Sequence, residues 1–295
     1  MHPLFEGHDP GYGHPERPAR YAAVERAVAA AGVPVEPAVE APRGDLEQVH
    51  DAAYLSAVER LAAAGGGHLD PDTAVNDVSF RAAALASGAA LAAVDAVIDG
   101  EIERAFCGGR PPGHHAERAR AMGFCLINHA AVAAAHARRS SAARVAILDW
   151  DAHHGNGTQA IFYDDPAVLY VSLHQYPFYP GTGAADETGA GDGAGATVNL
   201  PLAAGTSESA YLAAFHERAL PAVVAFRPDL VIVSAGFDAA ADDPLCSLRL
   251  TAPAFAEMAT ALREPCGGPA FVLEGGYSLS ALEAGVTSVL AAVSR

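Results

Sequence analysis

Short apolar runs recur through the second half of the chain, and each ends in polar or glycine-rich residues. The runs cover residues 144–150, 168–173, 230–234 and 270–274. Runs that are apolar at nearly every position, rather than at alternate positions, are typical of strands buried on both faces of a parallel sheet. The pattern therefore predicts four core strands.

Ala-rich segments with helical periodicity lie around these runs. The clearest covers residues 79–99, where an apolar stripe ends just before Gly100. Further predicted helices cover residues 16–31, 124–139 and 208–226. Alternating strands and helices favour a parallel sheet with helices on both faces. Because no internal repeat or linker interrupts the pattern, we expect residues 1–295 to form a single α/β domain.

Two glycine-rich stretches are predicted to be loops. Residues 181–195 read GTGAADETGAGDGAG. They lack the Gly-Lys-Ser/Thr ending of a phosphate-binding loop, and no predicted strand leads into them. We interpret this stretch as a flexible surface loop near the mouth of a site. Residues 65–72, which read GGGHLDPD, are predicted to form a second loop.

The charge of the chain limits its partners. There are 18 Lys and Arg residues against 35 Asp and Glu residues, a formal net charge of -17. This balance makes nucleic-acid binding through phosphate neutralisation improbable. It would attract a cationic substrate, although solubility alone explains such a charge equally well. Oligomeric state is left open by the sequence.

Cysteine usage and the start of the chain indicate a reducing compartment. The four cysteines, Cys107, Cys125, Cys246 and Cys266, form no C-x-x-C pair, so free thiols are expected. The first residues lack the basic and apolar regions of a signal peptide. No uncharged apolar run approaches the length that spans a bilayer. We therefore predict a cytoplasmic protein without a membrane or nucleic-acid partner.

Polar residues follow the first core strand at alternate positions. Asp149, Asp151 and His153 come at or after the end of the run at residues 144–150. If the extended conformation continues, the two-residue period places all three on one face. Two buried carboxylates require a positive partner, and Asp with His suits a divalent metal such as zinc. A capped turn with surface histidines is the alternative interpretation.

A second strand supplies a third candidate ligand. Asp238 follows the run at residues 230–234. Groups after neighbouring parallel strands gather at the carboxyl edge of a sheet. Three protein ligands leave a metal open to water and substrate, which is the pattern of catalytic rather than structural zinc sites.

Two further clusters carry groups that suit acid–base chemistry. His114 and His115 are adjacent on a loop that follows a short apolar run. Imidazoles titrate near neutrality, so such a pair can take a proton from water and give one to a leaving amine. Tyr277 follows the last core strand, and its hydroxyl could polarise a scissile carbonyl. Each cluster is weak evidence alone and gains weight from the candidate metal ligands.

Taken in order, the motifs resemble the histone deacetylase family. They read RPPGHH, GFCLIN, DWDAHHGNGT, VSLH, SAGFD and EGGY, and a GHPERP segment near the start extends the resemblance over nearly the whole chain. HHGNGT, and DDPL after the aspartate, look like the class II branch and its bacterial relatives. The resemblance implies an arginase–deacetylase fold, with a central, mostly parallel sheet of about eight strands flanked by helices.

The resemblance also implies roles for the motif residues. One zinc ion per chain would bind Asp151, His153 and Asp238, and the ligand types leave Fe²⁺ or Co²⁺ open. His115 would act as general base and acid, with His114 as its electrostatic partner. The remaining roles are orientation of His114 by Asp149, contact with His115 by Asn156, and binding of the carbonyl oxygen by Tyr277.

The family carries K⁺ close to the zinc. The resemblance maps this site onto the side chains of Asp149, Asp151 and Ser172 and onto the carbonyls of Asp151, His153 and Leu173. A second, outer K⁺ would lie near Phe162, Asp165, Val168 and Tyr211.

The acyl-lysine tunnel of the family is walled by two aromatic residues. Phe124 matches one wall, and Tyr179, with Phe178 beside it, matches the other. Gly123 allows close approach of the backbone, and Gly275 is a further predicted substrate contact. A loop aspartate that grips the substrate backbone would be Asp70 or Asp72.

The predicted reaction is zinc-dependent hydrolysis of the acetyl amide of acetylated lysine in proteins or peptides, with release of acetate. Deacetylation of acetylpolyamines or another small acetylated amine is the first alternative. Leu245 stands where a branch of the family places a glutamate that recognises polyamines, and this favours acetyl-lysine; Cys246 replaces a usual glycine beside it. A non-catalytic module that binds acetyl-lysine is the alternative from another class.

Overall fold

Six parallel strands form the central sheet of the computed structural model, which describes residues 1–263 and 268–294. The strands are β3 (Ala105–Cys107), β4 (Val145–Asp149), β5 (Val168–Gln175), β6 (Thr197–Leu202), β7 (Leu230–Ala235) and β8 (Ala270–Leu273). Their order across the sheet is β3-β8-β7-β4-β5-β6. Asp149 at the end of β4 pairs with Ser172 of β5 and Ser234 of β7. The carboxyl ends of the central strands therefore meet at one edge, as predicted.

Helices cover both faces of this sheet. They are α1 (Leu4–Gly7), α2 (Ala19–Ala31), α3 (Arg43–Leu46), α4 (Ala52–Ala63), α5 (Ser79–Ile98), α6 (His129–Ser140), α7 (Asn156–Phe162), α8 (Glu208–Ala214), α9 (Leu220–Phe226), α10 (Ala252–Ala261) and α11 (Leu279–Val293). Along β4, Val145 and Ile147 pack in the core with α5 and α6, whereas Ala146 and Leu148 pack in the core with α2, α10 and α11. Burial on both faces explains the continuous apolar runs.

The predicted α/β class and the four predicted core strands are confirmed, but the sheet has six strands instead of about eight. β6 was missed because Asn199 and Pro201 interrupt its apolar pattern, and β6 is an edge strand, where proline is tolerated. The prediction that residues 65–72 form only a loop is wrong. They contribute β1 (Gly67–Asp70), which forms an antiparallel hairpin with β2 (Thr73–Val75).

Two predicted helices begin later than expected. The helix predicted from residue 124 begins at His129, because Asn128 caps it by accepting a hydrogen bond from the Ala131 amide. The helix predicted from residue 16 begins at Ala19, after Pro18. The helix predicted over residues 208–226 is helical throughout. A π-helical turn, Phe215–Ala219, separates its two α-helical parts, α8 and α9.

The long apolar helix α5 is part of the core. By length and composition alone it could cross a membrane, yet 56% of its most apolar window is buried inside the fold. Cys107, Cys125 and Cys246 are free thiols, as expected, and Cys266 lies outside the described residues.

Candidate active site

The carboxyl ends of two neighbouring strands bring three buried side chains together. Asp151 and His153 follow β4, and Asp238 follows β7. One ligand atom from each residue lies within 4.8 Å of the others. His153 Nδ1 is 2.9 Å from Asp238 Oδ2 and 3.2 Å from Asp151 Oδ1. The three predicted metal ligands therefore converge on one point.

The chain bends directly after β4, so the condition on which Asp149, Asp151 and His153 would share one face, a continued extended conformation, is not met. The Asp151 amide donates to Asp149 Oδ1 at 3.1 Å, and the His153 amide donates to Asp151 Oδ1 at 2.9 Å. Aspartates commonly bend the backbone in this way by accepting from an amide two residues ahead. As a result, the Asp149 carboxylate turns toward His114, while Asp151 and His153 approach Asp238.

Two glycines leave room for this convergence. A Cβ atom on Gly275 would lie 2.3 Å from Asp238 Oδ2 and 2.6 Å from Asp151 Oδ2, and one on Gly236 would lie 2.1 Å from Asp151 Oδ2. Side chains at either position would collide with the carboxylates. The Gly275 amide also donates to Asp151 Oδ2 at 2.8 Å, so this predicted substrate contact is also part of the scaffold of the triad.

The residues of this triad fit a divalent metal. All three are buried, and two carboxylates with one imidazole are a donor set that zinc accepts. Burial alone would lower the pKa of His153, but Asp238 and Asp151 raise it to about 10. The two carboxylates thus stabilise a positive charge between them, and a bound cation would supply that charge.

His114 is held by the carboxylate that was predicted to orient it. Its Nδ1 lies 3.0 Å from Asp149 Oδ2, which also accepts a hydrogen bond from the Tyr170 hydroxyl at 3.0 Å. Burial alone would lower the pKa of His114, but Asp151 and Asp149 outweigh it and hold the pKa well above its usual value. His114 is therefore suited to carry positive charge.

His115 has a different environment, although its ring centroid is only 4.0 Å from that of His114. Its Nδ1 lies 2.8 Å from Asn156 Oδ1. Burial lowers the pKa of His115 well below its usual value, and the imidazoles of His114 and His153 lower it further. Two adjacent imidazoles with oppositely shifted pKa values suit separate roles in acid–base chemistry.

Sequence reasoning assigned no role to Glu274, which the structure places under the histidine pair. Its Oε2 accepts the amides of Gly113 at 2.6 Å and His114 at 3.1 Å, and its Oε1 accepts the Ser234 hydroxyl at 3.2 Å. Burial raises the pKa of Glu274 to about 7, although His114 opposes the shift. The position of Glu274, a charged residue directly after the buried strand β8, is the sequence feature that could have indicated its role.

Tyr277 presents its hydroxyl without a protein partner among the described residues. Its amide donates to Asp243 Oδ2 at 2.6 Å, and its ring packs between Phe124, at 5.7 Å between centroids, and the Arg20 guanidinium, at 4.9 Å. Gly276 has a φ of +122°, which favours glycine in the turn. Burial raises the pKa of Tyr277 well above its usual value, so the hydroxyl remains a donor.

A left-handed turn carries the first predicted tunnel wall. Gly123 and Phe124 have φ values of +56° and +69°, and the Phe124 amide donates to Thr73 Oγ1 at 3.1 Å. A Cβ atom on Gly123 would lie 2.4 Å from a ring carbon of His115. The turn therefore brings the backbone against His115, and the ring of His14 packs edge-on against Phe124 at 4.6 Å.

The second predicted wall lies over the metal-ligand side. The Tyr179 ring meets His115 edge-on with centroids 5.2 Å apart, and Phe178 stacks on His153 at 5.3 Å with an interplanar angle of 22°. Both aromatic residues thus contact the site, and Tyr179 remains 37% exposed at the surface. Residues 181–195, which follow these aromatic residues, contain internal hydrogen bonds, because the Glu187 carboxylate accepts the amides of Gly183 and Ala184.

The two candidate loop aspartates lie in the β1–β2 hairpin. Asp70 Oδ1 accepts the Asp72 amide at 3.0 Å, and Asp72 Oδ1 accepts the Thr73 hydroxyl at 3.0 Å. Thr73 Oγ1 in turn accepts the Phe124 amide at 3.1 Å. Asp72 is therefore connected through Thr73 to the turn that carries Phe124, whereas Asp70 reaches that turn through Asp72 and Thr73.

The loop after Asp238 contacts the tyrosine turn. Asp243 Oδ1 accepts the Leu245 amide at 3.0 Å while its Oδ2 holds the Tyr277 amide. Leu245 and Cys246 are half-buried, and Cys246 Sγ lies 3.8 Å from Gln175 Oε1. Asp243 is a second residue that sequence reasoning left without a role.

The predicted inner K⁺ residues lie together beside Asp149. Ser172 Oγ is 2.8 Å from His174 Nδ1, and the Tyr211 hydroxyl donates to the Leu173 carbonyl at 3.3 Å. No described group donates to the carbonyl oxygens of Asp151 and His153. Buried carbonyls without a donor are rare, so this group of oxygen atoms fits a cation.

The predicted outer K⁺ set is not brought together. The Asp165 amide donates to the Phe162 carbonyl, and the Val168 amide donates to the Asp165 carbonyl, so these three are neighbours. Tyr211 instead contacts Leu173, roughly 16 Å further along β5 than Val168. The assignment of Tyr211 to this set is wrong, because its helix packs near the carboxyl ends of the strands.

The amino-terminal segment is hydrogen-bonded to the residues around the site. Glu16 Oε1 accepts from Arg110 Nε at 2.8 Å and from Arg20 Nη1 at 3.0 Å. Arg20 Nε and Nη2 in turn donate to the carbonyls of Gly276 at 2.7 Å and Glu274 at 2.5 Å. This buried network connects residues near both ends of the chain to the turn that carries Tyr277.

A family model described as a histone deacetylase domain matches residues 14–293 of this chain. Histone deacetylase 15 of Arabidopsis thaliana is 44% identical over 288 residues, which make up 94% of this chain and 52% of the plant protein. Polyamine deacetylase HDAC10 of Homo sapiens is 42% identical over 257 residues, 82% of this chain and 38% of the human protein. The chain thus spans about half, or less, of the length of these two relatives.

The crystal structure of the HDA15 HD domain matches the fold with a TM-score of 0.93 and 41% sequence identity, over 97% of this chain and 87% of that chain. The family model covers nearly the whole sequence, and the solved relative shares the fold at high identity. The chain belongs to the histone deacetylase family.

Proposed function

We propose that the protein is a zinc-dependent deacetylase that hydrolyses the acetyl amide of acetylated lysine in proteins or peptides and releases acetate. The observation that carries this proposal is the convergence of Asp151, His153 and Asp238 next to the His114–His115 pair. Metal ligands alone would suit a structural site, but a paired base and a free tyrosine hydroxyl beside them suit hydrolysis.

Asp151, His153 and Asp238 would hold the zinc. When bound there, zinc polarises the acetyl carbonyl as a Lewis acid and lowers the pKa of water in the site. His115 accepts the proton of the attacking water and later gives a proton to the departing amine. Its low pKa keeps the ring neutral and therefore able to accept.

Two groups stabilise negative charge as it develops on the carbonyl oxygen. Tyr277 donates a hydrogen bond, because its buried hydroxyl stays protonated and has no competing partner among the described residues. His114, which Asp149 and Asp151 hold in the charged form, contributes a positive charge next to His115. Donors fixed in advance cost no reorganisation during the reaction.

The acetylated side chain would enter between aromatic walls. Phe124 on one side, and Tyr179 with Phe178 on the other, suit the apolar methylenes of lysine. Asp72 would accept a backbone N–H of the substrate at the rim, because Thr73 connects it to the Phe124 turn. We assign K⁺ to the oxygen group around Asp149, Ser172 and Leu173, where it would offset buried negative charge.

A small acetylated amine is the competing substrate, favoured by the net charge of -17 and by the similarity to a human polyamine deacetylase. Leu245 favours acetyl-lysine, because an apolar residue at this position offers no charge to a polyamine.

The proposal is tested by steady-state kinetics of the zinc-loaded protein on an acetyl-lysine peptide and an acetylated polyamine, side by side. We expect a higher kcat/KM for the peptide, and a relative gain for the polyamine in Leu245→Glu. His115→Ala serves as the control for contaminating deacetylases. A preference of the unmodified protein for the polyamine would replace the substrate assignment. Turnover of neither would support a binding module instead.

A further inference from the structure

A chain of hydrogen bonds leads outward from His115. Its Nδ1 lies 2.8 Å from Asn156 Oδ1, and Asn156 Nδ2 donates to Glu117 Oε1 at 2.8 Å. His115 and Asn156 are only 4% and 6% exposed, so the first contact is buried, whereas Glu117 is half-buried and the second contact lies nearer the surface. Glu117 is two residues beyond His115 on the same loop, while Asn156 begins α7.

An asparagine does not by itself determine which ring nitrogen of a neutral histidine carries the proton. Its amide has an accepting oxygen and a donating nitrogen of nearly equal shape. By turning over, the amide can satisfy either tautomer. A carboxylate could only accept, whereas the amide of Asn156 leaves this choice to its other contacts.

The groups around Asn156 Nδ2 determine the orientation of the amide and therefore the tautomer of His115. The Glu117 carboxylate accepts and cannot donate, so the nitrogen of the amide must face it. The other neighbours of this nitrogen are Met122 Sδ at 3.3 Å and the His115 carbonyl at 3.5 Å, which also only accept. With the nitrogen held there, Oδ1 faces His115 Nδ1, and Nδ1 must be the donor.

We infer that Glu117 is a positioning residue that selects the tautomer of His115 by fixing the orientation of the Asn156 amide. The unprotonated nitrogen is then Nε2, on the side of the ring opposite Asn156. The consequence for the rate rests on the proposed function, because only a deacetylase needs a free Nε2. The selection of the His115 tautomer does not depend on the proposed function.

The test compares Glu117→Ala and Glu117→Gln with the unmodified protein, all loaded with zinc. In Glu117→Ala only the longer contacts to Met122 Sδ and the His115 carbonyl still favour this orientation of the amide, so the ¹⁵N NMR signals of the His115 ring should shift toward a mixture of tautomers. We expect kcat to fall about 10-fold or more and KM to stay within about 2-fold, because orientation rather than binding is lost. Glu117→Gln keeps an acceptor and should lose less.

Two controls separate orientation from general damage. Glu217→Ala removes an exposed carboxylate from the helical turn Phe215–Ala219 and should change nothing. Asn156→Asp combined with Glu117→Ala places beside His115 Nδ1 a group that only accepts, without a second carboxylate next to it, so this double variant should recover activity relative to Glu117→Ala alone. Zinc content should stay at one per chain in every variant.

An unchanged His115 spectrum in both Glu117 variants would overturn the inference, as would a loss of kcat without any spectral change. Because Glu117→Gln keeps the size and one acceptor of the original residue, it remains informative if Glu117→Ala fails to fold. If the unmodified protein deacetylates nothing, the proposed function fails, while the NMR comparison still decides the role of Glu117.

Discussion

Glu16 is the one carboxylate among the described residues that forms ion pairs with the two buried guanidinium groups of Arg20 and Arg110, and Glu16→Gln should destabilise the protein strongly. Arg110 donates to it through Nε at 2.8 Å and Nη2 at 2.5 Å, and Arg20 through Nη1 at 3.0 Å. Removing one partner of a buried pair typically costs 3–5 kcal/mol, because the other charge is left uncompensated. Since Gln keeps one accepting oxygen, we expect about 4 kcal/mol, a large part of a typical stability of about 5–15 kcal/mol.

Urea unfolding at neutral pH, followed by circular dichroism, measures this loss. Glu283→Gln is the matched control: its partner Arg26 is 2.7 Å away, but the two side chains are 37% and 54% exposed. Solvent screens such a pair, so the control should lose less than about 1 kcal/mol. Similar losses in the two variants would refute the argument from burial.

The effect of Glu16→Gln should also depend on pH. Burial alone would raise the pKa of Glu16, but Arg110, His8 and Arg20 outweigh it and hold the pKa well below its usual value. The stability from this group is complete above the unfolded-state pKa of about 4.3 and declines as pH falls through the lower folded-state pKa. The difference in the free energy of unfolding between the unmodified protein and Glu16→Gln should therefore be constant from about pH 5 to 8. It should disappear as the pH falls further. A difference that grows on acidification would contradict this.

Three further predictions concern the site. Tyr277→Phe should lower kcat on an acetyl-lysine peptide about 10²–10³-fold with little change in the melting temperature, since the hydroxyl has no described partner; full activity would exclude its role as a donor. Gly275→Ala should weaken zinc binding about 10–100-fold in a competition titration, because its Cβ would lie 2.3 Å from Asp238 Oδ2, whereas Gly44→Ala, in open space, should not. Chelation should lower stability by about 2.7 kcal/mol relative to protein with metal at a hundred times its Kd, and added Zn²⁺ should restore it.

The elements that the sequence predicts well are those with a local signal. β4, β5, β7 and β8 are continuous apolar runs, and their carboxyl ends collect the triad because parallel strands end at one edge. The β1–β2 hairpin and β6 were missed because they are short, or contain Gly, Pro and Asn, and tertiary contacts override their weak propensity.

Several parts of the site could not be predicted, because they depend on contacts between distant segments. Glu274 supports the His114 loop across 160 residues of chain, and Asp243 holds the Tyr277 amide. The turn at Gly123 and Phe124 looks like the start of a helix in the sequence, since nothing local reveals its left-handed backbone. Asn156 is visible as a motif residue, but its contact with Glu117 requires α7 to pack on the histidine loop.

The connection of Arg20 to the Tyr277 turn has a consequence for biosynthesis. Arg20 donates to the carbonyls of Glu274 and Gly276, and β3 pairs with β8. Segments from the first half of the sequence therefore depend on the last strand and its turn for their hydrogen bonds. Such distant pairings form slowly, because the intervening chain must first be ordered. A ribosome-bound chain that ends before β8 therefore exposes an unpaired β3 and leaves Arg20 without its two backbone acceptors. This domain can therefore complete its sheet and the Tyr277 turn only after β8 and the residues that follow it have emerged from the ribosome.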